Sequence, residues 1–94
     1  PVVCVYRFSD FEEVVAEANN TNYGLSSAIY TANIHRAMSF AKRIEAGMVH
    51  INGLSLTDED HVPFGGVGDS GFGRVGIEAD LDAFTDLKWV TIQT

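Results

Sequence analysis

Few side chains in this sequence are able to perform covalent or acid–base chemistry, and their spacing matches no known reaction site. Cys4 is the only cysteine, and its valine neighbours predict a buried structural residue on a strand rather than a nucleophile. His35 and His50 have no neighbouring partner in the sequence and are interpreted as surface or capped histidines. No serine lies in a nucleophile elbow. We therefore expect no catalytic residue within this chain.

An acidic run, Asp58-Glu59-Asp60, precedes His61 in the one long segment without periodicity. Carboxylates and histidines are metal ligands, but the spacings typical of zinc and calcium sites are absent here. The sequence predicts a solvated loop and no metal site.

Glycines are concentrated between Gly53 and Gly76. Two stretches there have the spacing Gly-x-Gly-x-x-Gly, beginning at Gly66 and at Gly71. A dinucleotide-binding loop with this spacing follows a strand and opens a helix, whereas Pro63-Phe64 precedes the first stretch and no strand precedes the second. We favour tight turns and close backbone packing as the reason for these glycines. A small nucleotide-binding site, with saturable binding of NAD⁺, stays open as an alternative.

The elements that must position this loop alternate between strand and helix. Apolar β-branched runs predict strands, and apolar residues spaced three and four apart predict helices. Ser9, Asp10 and Asn33 mark two helix starts, and Gly47 is the expected residue just after the second helix. The predicted α/β order is β-α-β-α-β-loop-α-β, a mainly parallel sheet with flanking helices, with strands at 1–8, 25–31, 48–52 and 87–94, helices from 10, from 33 and over 77–86, and a loop at 53–76.

Composition and charge exclude several classes of protein. The chain has 94 residues and a net charge of −7, so we expect one domain and no nucleic-acid partner, since nucleic acid is bound by clustered Lys and Arg. A single cysteine allows no internal disulfide and favours a reducing compartment. No membrane-spanning apolar run and no signal-peptide pattern are seen, so a cytoplasmic protein without a membrane partner is expected. The first residue is Pro1 rather than Met, which is typical of an excised piece.

The last predicted strand, Leu87–Thr94, alternates apolar and polar side chains. This pattern fits an ordinary core strand, and equally an exposed edge that pairs with a second chain. The residues leave both interpretations open.

The segment Pro63–Arg74 reads Pro-Phe-Gly-Gly-Val-Gly-Asp-Ser-Gly-Phe-Gly-Arg. It resembles the C-terminal signature of the aldehyde dehydrogenase superfamily, Pro-Phe-Gly-Gly-x-Lys-x-Ser-Gly-x-Gly-Arg. Pro1-Val2 resembles the end of the family's Glu-x-Phe-Gly-Pro segment. The resemblance extends over the whole chain, and three further stretches share it: Asn22–Leu25, Glu45–Asn52 and Ala83–Val90.

The resemblance implies that residues 1–94 are a single C-terminal fragment of a catalytic domain that oxidises an aldehyde to a carboxylic acid with NAD or NADP. In this family a cysteine thiolate attacks the aldehyde, hydride passes to NAD(P)⁺, and water activated by a carboxylate hydrolyses the thioester. The nucleophile, general base, oxyanion-hole Asn and cofactor-binding residues are implied upstream of Pro1, and Cys4 does not match the nucleophile's motif. We expect the fragment to bind no cofactor and to be inactive alone.

The resemblance also implies roles for residues of this chain. The substrate tunnel would receive one wall from the long loop, through Phe64, Leu56, Thr57 and His61. The shape of the loop would depend on Asn52, Pro63, Gly65, Gly66, Ser70, Gly71, Gly73 and Arg74. Residues 87–94 would form the oligomerisation strand of a homo-oligomer, through Trp89, Val90, Thr91, Ile92 and Gln93.

Two residues depart from the family signature. Gly68 stands where the signature has Lys, and we expect glycine to loosen the loop where a long side chain would pack. Val75 follows Arg74 where many members have Glu. At Val75 and at His50-Ile51-Asn52 the sequence resembles the vanillin, salicylaldehyde and benzaldehyde dehydrogenases. This resemblance implies an aromatic aldehyde as substrate.

A stand-alone interaction module is the competing hypothesis. A truncated tail of this kind would persist as a small oligomer held by Trp89–Gln93, without catalysis. Light scattering distinguishes the two, since a monodisperse oligomer favours the module and an aggregating chain favours a fragment.

Overall fold

A computed structural model describes all 94 residues and shows a mixed α/β arrangement. Helices and strands alternate through the middle of the chain, as the sequence predicts. None of the three helices has the length and apolar content needed to cross a bilayer. The elements are α1 (Phe11–Ala18), β1 (Tyr23–Gly24), β2 (Ser26–Ile29), α2 (Ile34–Arg43), β3 (Met48–Ile51), β4 (Val67–Gly68) and α3 (Ile77–Phe84).

The strands form two separate pairs rather than one mainly parallel sheet. β2 and β3 are parallel, in a register that pairs Ser26 with Met48 and Ile29 with Ile51. β1 and β4 are antiparallel, and β4 lies inside the segment predicted to be loop. The prediction of parallel pairing is therefore correct only for β2 and β3. A two-residue strand such as β4 carries no periodic signal, because alternation needs at least four residues to be recognised.

The predicted residues at helix starts agree with the structure better than the residue predicted at a helix end. The Asn33 side chain accepts a hydrogen bond from the Arg36 backbone N–H at 3.1 Å, as expected of an N-cap. At α1, the Ser9 backbone N–H and hydroxyl instead approach the Glu13 carboxylate at 3.4 Å each. The prediction that Gly47 follows α2 directly is wrong, because α2 ends at Arg43 and the chain is already extended at the next residue.

The two terminal segments predicted as strands, residues 1–8 and 87–94, join no sheet. Alternating side chains define the faces of a strand, but a ladder also needs a neighbouring backbone, and neither segment has one in this chain. Cys4 is consequently exposed, so the prediction of a buried cysteine is wrong. The last helix ends at Phe84, two residues before the predicted end.

The core lies between α1 and α2, where Val15, Ala37 and Phe40 are buried. An ion pair at the rim joins the same helices: the Arg43 guanidinium contacts both Glu12 carboxylate oxygens, at 2.6 and 2.5 Å. It also lies 5.6 Å from the centroid of the Phe11 ring. The hydrogen bonds from Arg43 lower the pKa of the Glu12 carboxyl, because they stabilise its charged form.

This core is too small to cover the chain. The structure exposes 8161 Å², whereas a folded monomer of 10.2 kDa exposes about 5300 Å². The radius of gyration is 17.9 Å, compared with about 12 Å for a compact domain of this length. The excess comes largely from apolar side chains on the terminal segments and α3, such as Val2, Trp89 and Phe84. Surface of this kind is normally covered by further polypeptide.

Candidate functional site

The glycine-rich segment forms a loop that closes on itself. Phe64 and Val75 exchange two backbone hydrogen bonds of 2.7 Å each, in an isolated antiparallel bridge. The ten residues between them connect the two sides of this bridge. We call residues 64–75 the closed loop. Its closure fixes the backbone of Phe64, the first of the side chains predicted to contact substrate.

Arg74 holds the two sides of the closed loop together just beyond this bridge. Its Nη1 donates to the Gly66 carbonyl oxygen at 2.9 Å and to the Gly73 carbonyl oxygen at 2.7 Å. The side-chain stem lies against Gly65, where a built Cβ would be 2.8 Å from the Arg74 Cδ. Gly65 is therefore needed for the close approach of this stem.

The far part of the closed loop docks on β1. The Ser70 hydroxyl accepts a hydrogen bond from the Gly24 backbone N–H at 2.9 Å, and the Asp69 N–H donates to the Asn22 carbonyl at 2.8 Å. Gly66 is buried here, and a Cβ on it would lie 2.6 Å from the Ser70 Cβ. The loop is thus fixed at both its closure and its docked end.

Gly68 lies where the closed loop packs on the residue before β1. Its φ is 59°, in the left-handed region, and a built Cβ would lie 2.4 Å from the Asn22 carbonyl oxygen. In this backbone a side chain at position 68 would require the Asn22 carbonyl to move, and the expectation that glycine loosens the loop at this departure from the signature stays a prediction. Gly73, at φ 69°, and Gly71, at φ 129°, have no atom within 4 Å of a built Cβ.

Three consecutive backbone amides in the middle of the closed loop are used within the protein. Those of Asp69, Ser70 and Gly71 donate to the carbonyls of Asn22, Val67 and Gly68. A phosphate-binding loop instead presents several free N–H groups to its ligand. The run from Asp69 to Gly71 therefore does not have the geometry of a phosphate-binding loop.

Asn52 lies at the end of β3 and ties it to the end of β2. It has φ 57°, and its backbone N–H donates to the Ile29 carbonyl at 2.8 Å. Its side chain accepts from the Thr31 N–H at 2.8 Å and donates to the Thr31 carbonyl at 3.0 Å. Asn52 thereby fixes the point where the chain leaves β3 for the segment that leads to the closed loop.

Phe64 is half-buried and lines an open groove of about 390 Å³ together with apolar and acidic side chains. Val62, Val75 and Ile77 are its other apolar lining residues, and all three are exposed. Sequence reasoning missed them because single apolar residues in an aperiodic segment carry no signal. The groove has no lysine or arginine in its lining. Its carboxylates belong to Asp58, Glu59, Asp60 and Asp80.

The other side chains predicted to contact substrate are not brought together with Phe64. Leu56 is 90% exposed, and Thr57 and His61 are also exposed outside the groove. The His61 Nε2 lies 3.5 Å from the Glu59 carboxylate at the surface. Pro63 is exposed directly before the closure. Of the four side chains predicted to form the substrate wall, only Phe64 lines this groove.

The predicted oligomerisation segment and the half-buried His50 both lie outside this groove. The segment Trp89–Gln93 is exposed along its whole length, with Trp89 at 90% and Ile92 at 86%. His50 on β3 is half-buried, and its Nε2 is shielded from solvent without a hydrogen-bond partner. An unpartnered buried nitrogen is costly, so this face of β3 is also one that further polypeptide would complete.

Comparison with known proteins gives one consistent result. The model of the aldehyde dehydrogenase family matches residues 1–90. A benzaldehyde dehydrogenase of Bacillus subtilis is 47% identical over 93 residues, which are 99% of this chain and 19% of that protein. The chain therefore spans about a fifth of the length of the curated relatives it matches.

Solved structures show the same similarity in three dimensions. A salicylaldehyde dehydrogenase of Pseudomonas putida G7, complexed with salicylaldehyde, superposes with a TM-score of 0.87 at 41% identity. The match covers 94% of this chain and 18% of that one. The glyceraldehyde-3-phosphate dehydrogenase GapN of Methanocaldococcus jannaschii, complexed with NADP, gives a TM-score of 0.80 at 42% identity, covering 85% and 18%. With the family match over 90 of its residues, this chain belongs to the aldehyde dehydrogenase family.

Proposed function

We propose that this chain is the C-terminal part of an NAD(P)-dependent aldehyde dehydrogenase that oxidises an aldehyde to a carboxylic acid. The observation that carries the proposal is the closed loop. Its sequence matches the family signature, and its closure holds Phe64 at the groove. A cytoplasmic location, expected from the single cysteine, belongs to the same proposal. So does the assignment of residues 1–94 to one part of a catalytic domain.

In this proposal the chain supplies shape rather than reactive groups. Phe64 provides an apolar wall for the aldehyde, and Arg74, Ser70 and the loop glycines hold that wall in place. NAD(P)⁺, when bound to the whole enzyme, accepts the hydride of the aldehyde. The amides of Asp69, Ser70 and Gly71 are already paired, and we assign no cofactor contact to the closed loop. Leu56, Thr57 and His61 are assigned to the substrate wall only in the assembled enzyme.

An aromatic aldehyde is the proposed substrate. The groove is lined by an aromatic ring and three aliphatic side chains beside its carboxylates, and apolar surface favours an apolar ligand. Relatives named for benzaldehyde, vanillin and salicylaldehyde support the same class.

A non-catalytic interaction module is the second candidate, favoured by the exposed C-terminal segment. Trp89, Val90 and Ile92 are 90%, 70% and 86% exposed, and an unpaired strand of this kind is suited to pairing with a second copy. In the first candidate the same segment is an oligomerisation strand of the full enzyme. Light scattering on the isolated chain tests the module, which requires a monodisperse oligomer.

Exchange of segments tests the enzymatic proposal. The 94 residues replace the corresponding segment of the Bacillus subtilis benzaldehyde dehydrogenase, and NADH formation from benzaldehyde is measured. We expect the chimera to oxidise benzaldehyde, and the isolated chain to show no more turnover than its Cys4→Ala variant. Turnover by the isolated chain above that control would contradict the proposal. So would a chimera of native size that binds NAD⁺ and leaves benzaldehyde unchanged.

A further inference from the structure

The closed loop contains one cation whose contacts are all backbone carbonyls. Arg74 Nη1 donates to Gly66 and Gly73, and no carboxylate lies within ion-pair distance of the guanidinium. Surface arginines more often pair with acids or point into water. The contacts of Arg74 therefore serve the geometry of the loop rather than a charge pair.

The position of these contacts relates Arg74 to Phe64. Gly66 lies two residues after Phe64 on the outgoing side of the loop, and Arg74 directly precedes Val75 on the returning side. The guanidinium thus joins the two sides beside the Phe64–Val75 bridge. If the two sides of the loop move apart at Arg74, the backbone of Phe64 moves as well, because Phe64 is bonded to Val75, the residue next to Arg74.

The local environment leaves Arg74 little freedom. The stem packs on Gly65, where a Cβ would lie 2.8 Å from the Arg74 Cδ and 2.6 Å from the Gly73 carbonyl oxygen. Hydrogen bonds from a charged donor are shorter and stronger than neutral ones. Both bonds come from Nη1, whose two N–H groups have fixed directions in the planar guanidinium, whereas the N–H groups of a lysine ammonium rotate freely.

We propose that Arg74 is a positioning residue for Phe64, and that it sets how well the enzyme distinguishes aromatic from short aliphatic aldehydes. The inference rests on the proposed function, because it requires Phe64 to contact the aldehyde. An aromatic substrate depends on the placement of a flat apolar wall, whereas a two-carbon aldehyde is too small to reach it fully. Displacement of Phe64 therefore affects the aromatic substrate selectively.

The kinetic test uses the chimera with Arg74→Gln, Arg74→Lys and the control Arg36→Lys. Arg36 is exposed on α2, and its guanidinium donates no hydrogen bond to the protein. We expect Arg74→Gln to lower the ratio of kcat/KM for benzaldehyde to kcat/KM for acetaldehyde by about tenfold, mainly through KM for benzaldehyde. Arg74→Lys should recover part of the ratio, and Arg36→Lys should leave it unchanged. A parallel loss with both aldehydes would overturn the inference and leave Arg74 a purely structural residue.

Hydrogen exchange provides a second readout that needs no turnover. In the chimera, Arg74→Gln is expected to speed exchange of the Phe64 and Val75 amides relative to the amides of β3. Unchanged protection of those two amides, or their lack of protection in the parent chimera, would overturn the inference. If the parent chimera oxidises neither aldehyde although it binds NAD⁺, the proposed function fails, and hydrogen exchange still decides whether Arg74 fixes Phe64.

Discussion

Replacement of Gly68 by alanine tests the close packing of the closed loop on β1. Gly68 and Gly73 both have left-handed backbones, with φ of 59° and 69°. Only Gly68 faces an obstacle: a built Cβ lies 2.4 Å from the Asn22 carbonyl oxygen, whereas Gly73 has no atom within 4 Å. Gly73→Ala therefore isolates the conformational cost, and Gly68→Ala adds the steric cost at the same kind of backbone.

The magnitudes follow from these two contributions. A non-glycine residue in the left-handed region costs about 1–2 kcal/mol, which we expect for Gly73→Ala. Gly68→Ala must also displace Asn22, whose carbonyl accepts the Asp69 N–H at 2.8 Å. Loss of that hydrogen bond adds about 1 kcal/mol, so a total of about 2–3 kcal/mol is expected. Urea unfolding of the isolated chain, followed by circular dichroism, measures the difference. A Gly68→Ala chain as stable as Gly73→Ala would refute the reasoning.

Two further predictions concern the α1–α2 core and the ion pair at its rim. Phe40 is 6% exposed and Phe84 is 88% exposed. Phe40→Ala should therefore lower the free energy of unfolding by about 3–5 kcal/mol, while Phe84→Ala changes it little. Equal effects in urea unfolding would show that Phe40 is not in the core. Arg43 lowers the pKa of Glu12, so this stabilisation is present above the ordinary carboxyl pKa and is lost as pH falls through the lowered value. Glu12→Gln should therefore destabilise the chain at neutral pH and not in acid, whereas the control Glu17→Gln on the same helix should have no such pH-dependent effect. A Glu12→Gln effect that persists in acid would contradict the pairing.

The sequence predicted those parts of the fold whose signals are local. Asn33 caps α2 as expected, and the central strands fall within the predicted ranges, because capping and apolar runs act over a few residues. The β1–β4 pair joins Tyr23 to Gly68, far apart along the chain, and nothing local encodes such a contact. The terminal strands were predicted from side-chain alternation, which does not specify the neighbour that a strand requires.

The candidate site shows the same division between local and distant determinants. Glycines 66, 68, 71 and 73 indicated tight turns, and three of them have positive φ. The obstacle that a side chain at position 68 would meet in this backbone is the Asn22 carbonyl, which only the folded structure brings near. The cross-link by Arg74 was equally hidden, because its acceptors are backbone carbonyls and backbone groups leave no mark in the side-chain sequence.

The central claim is that this chain supplies an aldehyde-facing wall through Phe64. The most direct measurement compares KM for benzaldehyde and for NAD⁺ in the chimera and its Phe64→Ala variant, with Phe72→Ala as the control. Phe72 is fully exposed in the same loop. Loss of a phenyl contact predicts a rise in KM for benzaldehyde of about tenfold or more, with KM for NAD⁺ unchanged. An unchanged KM for benzaldehyde, or a rise confined to NAD⁺, would contradict the account.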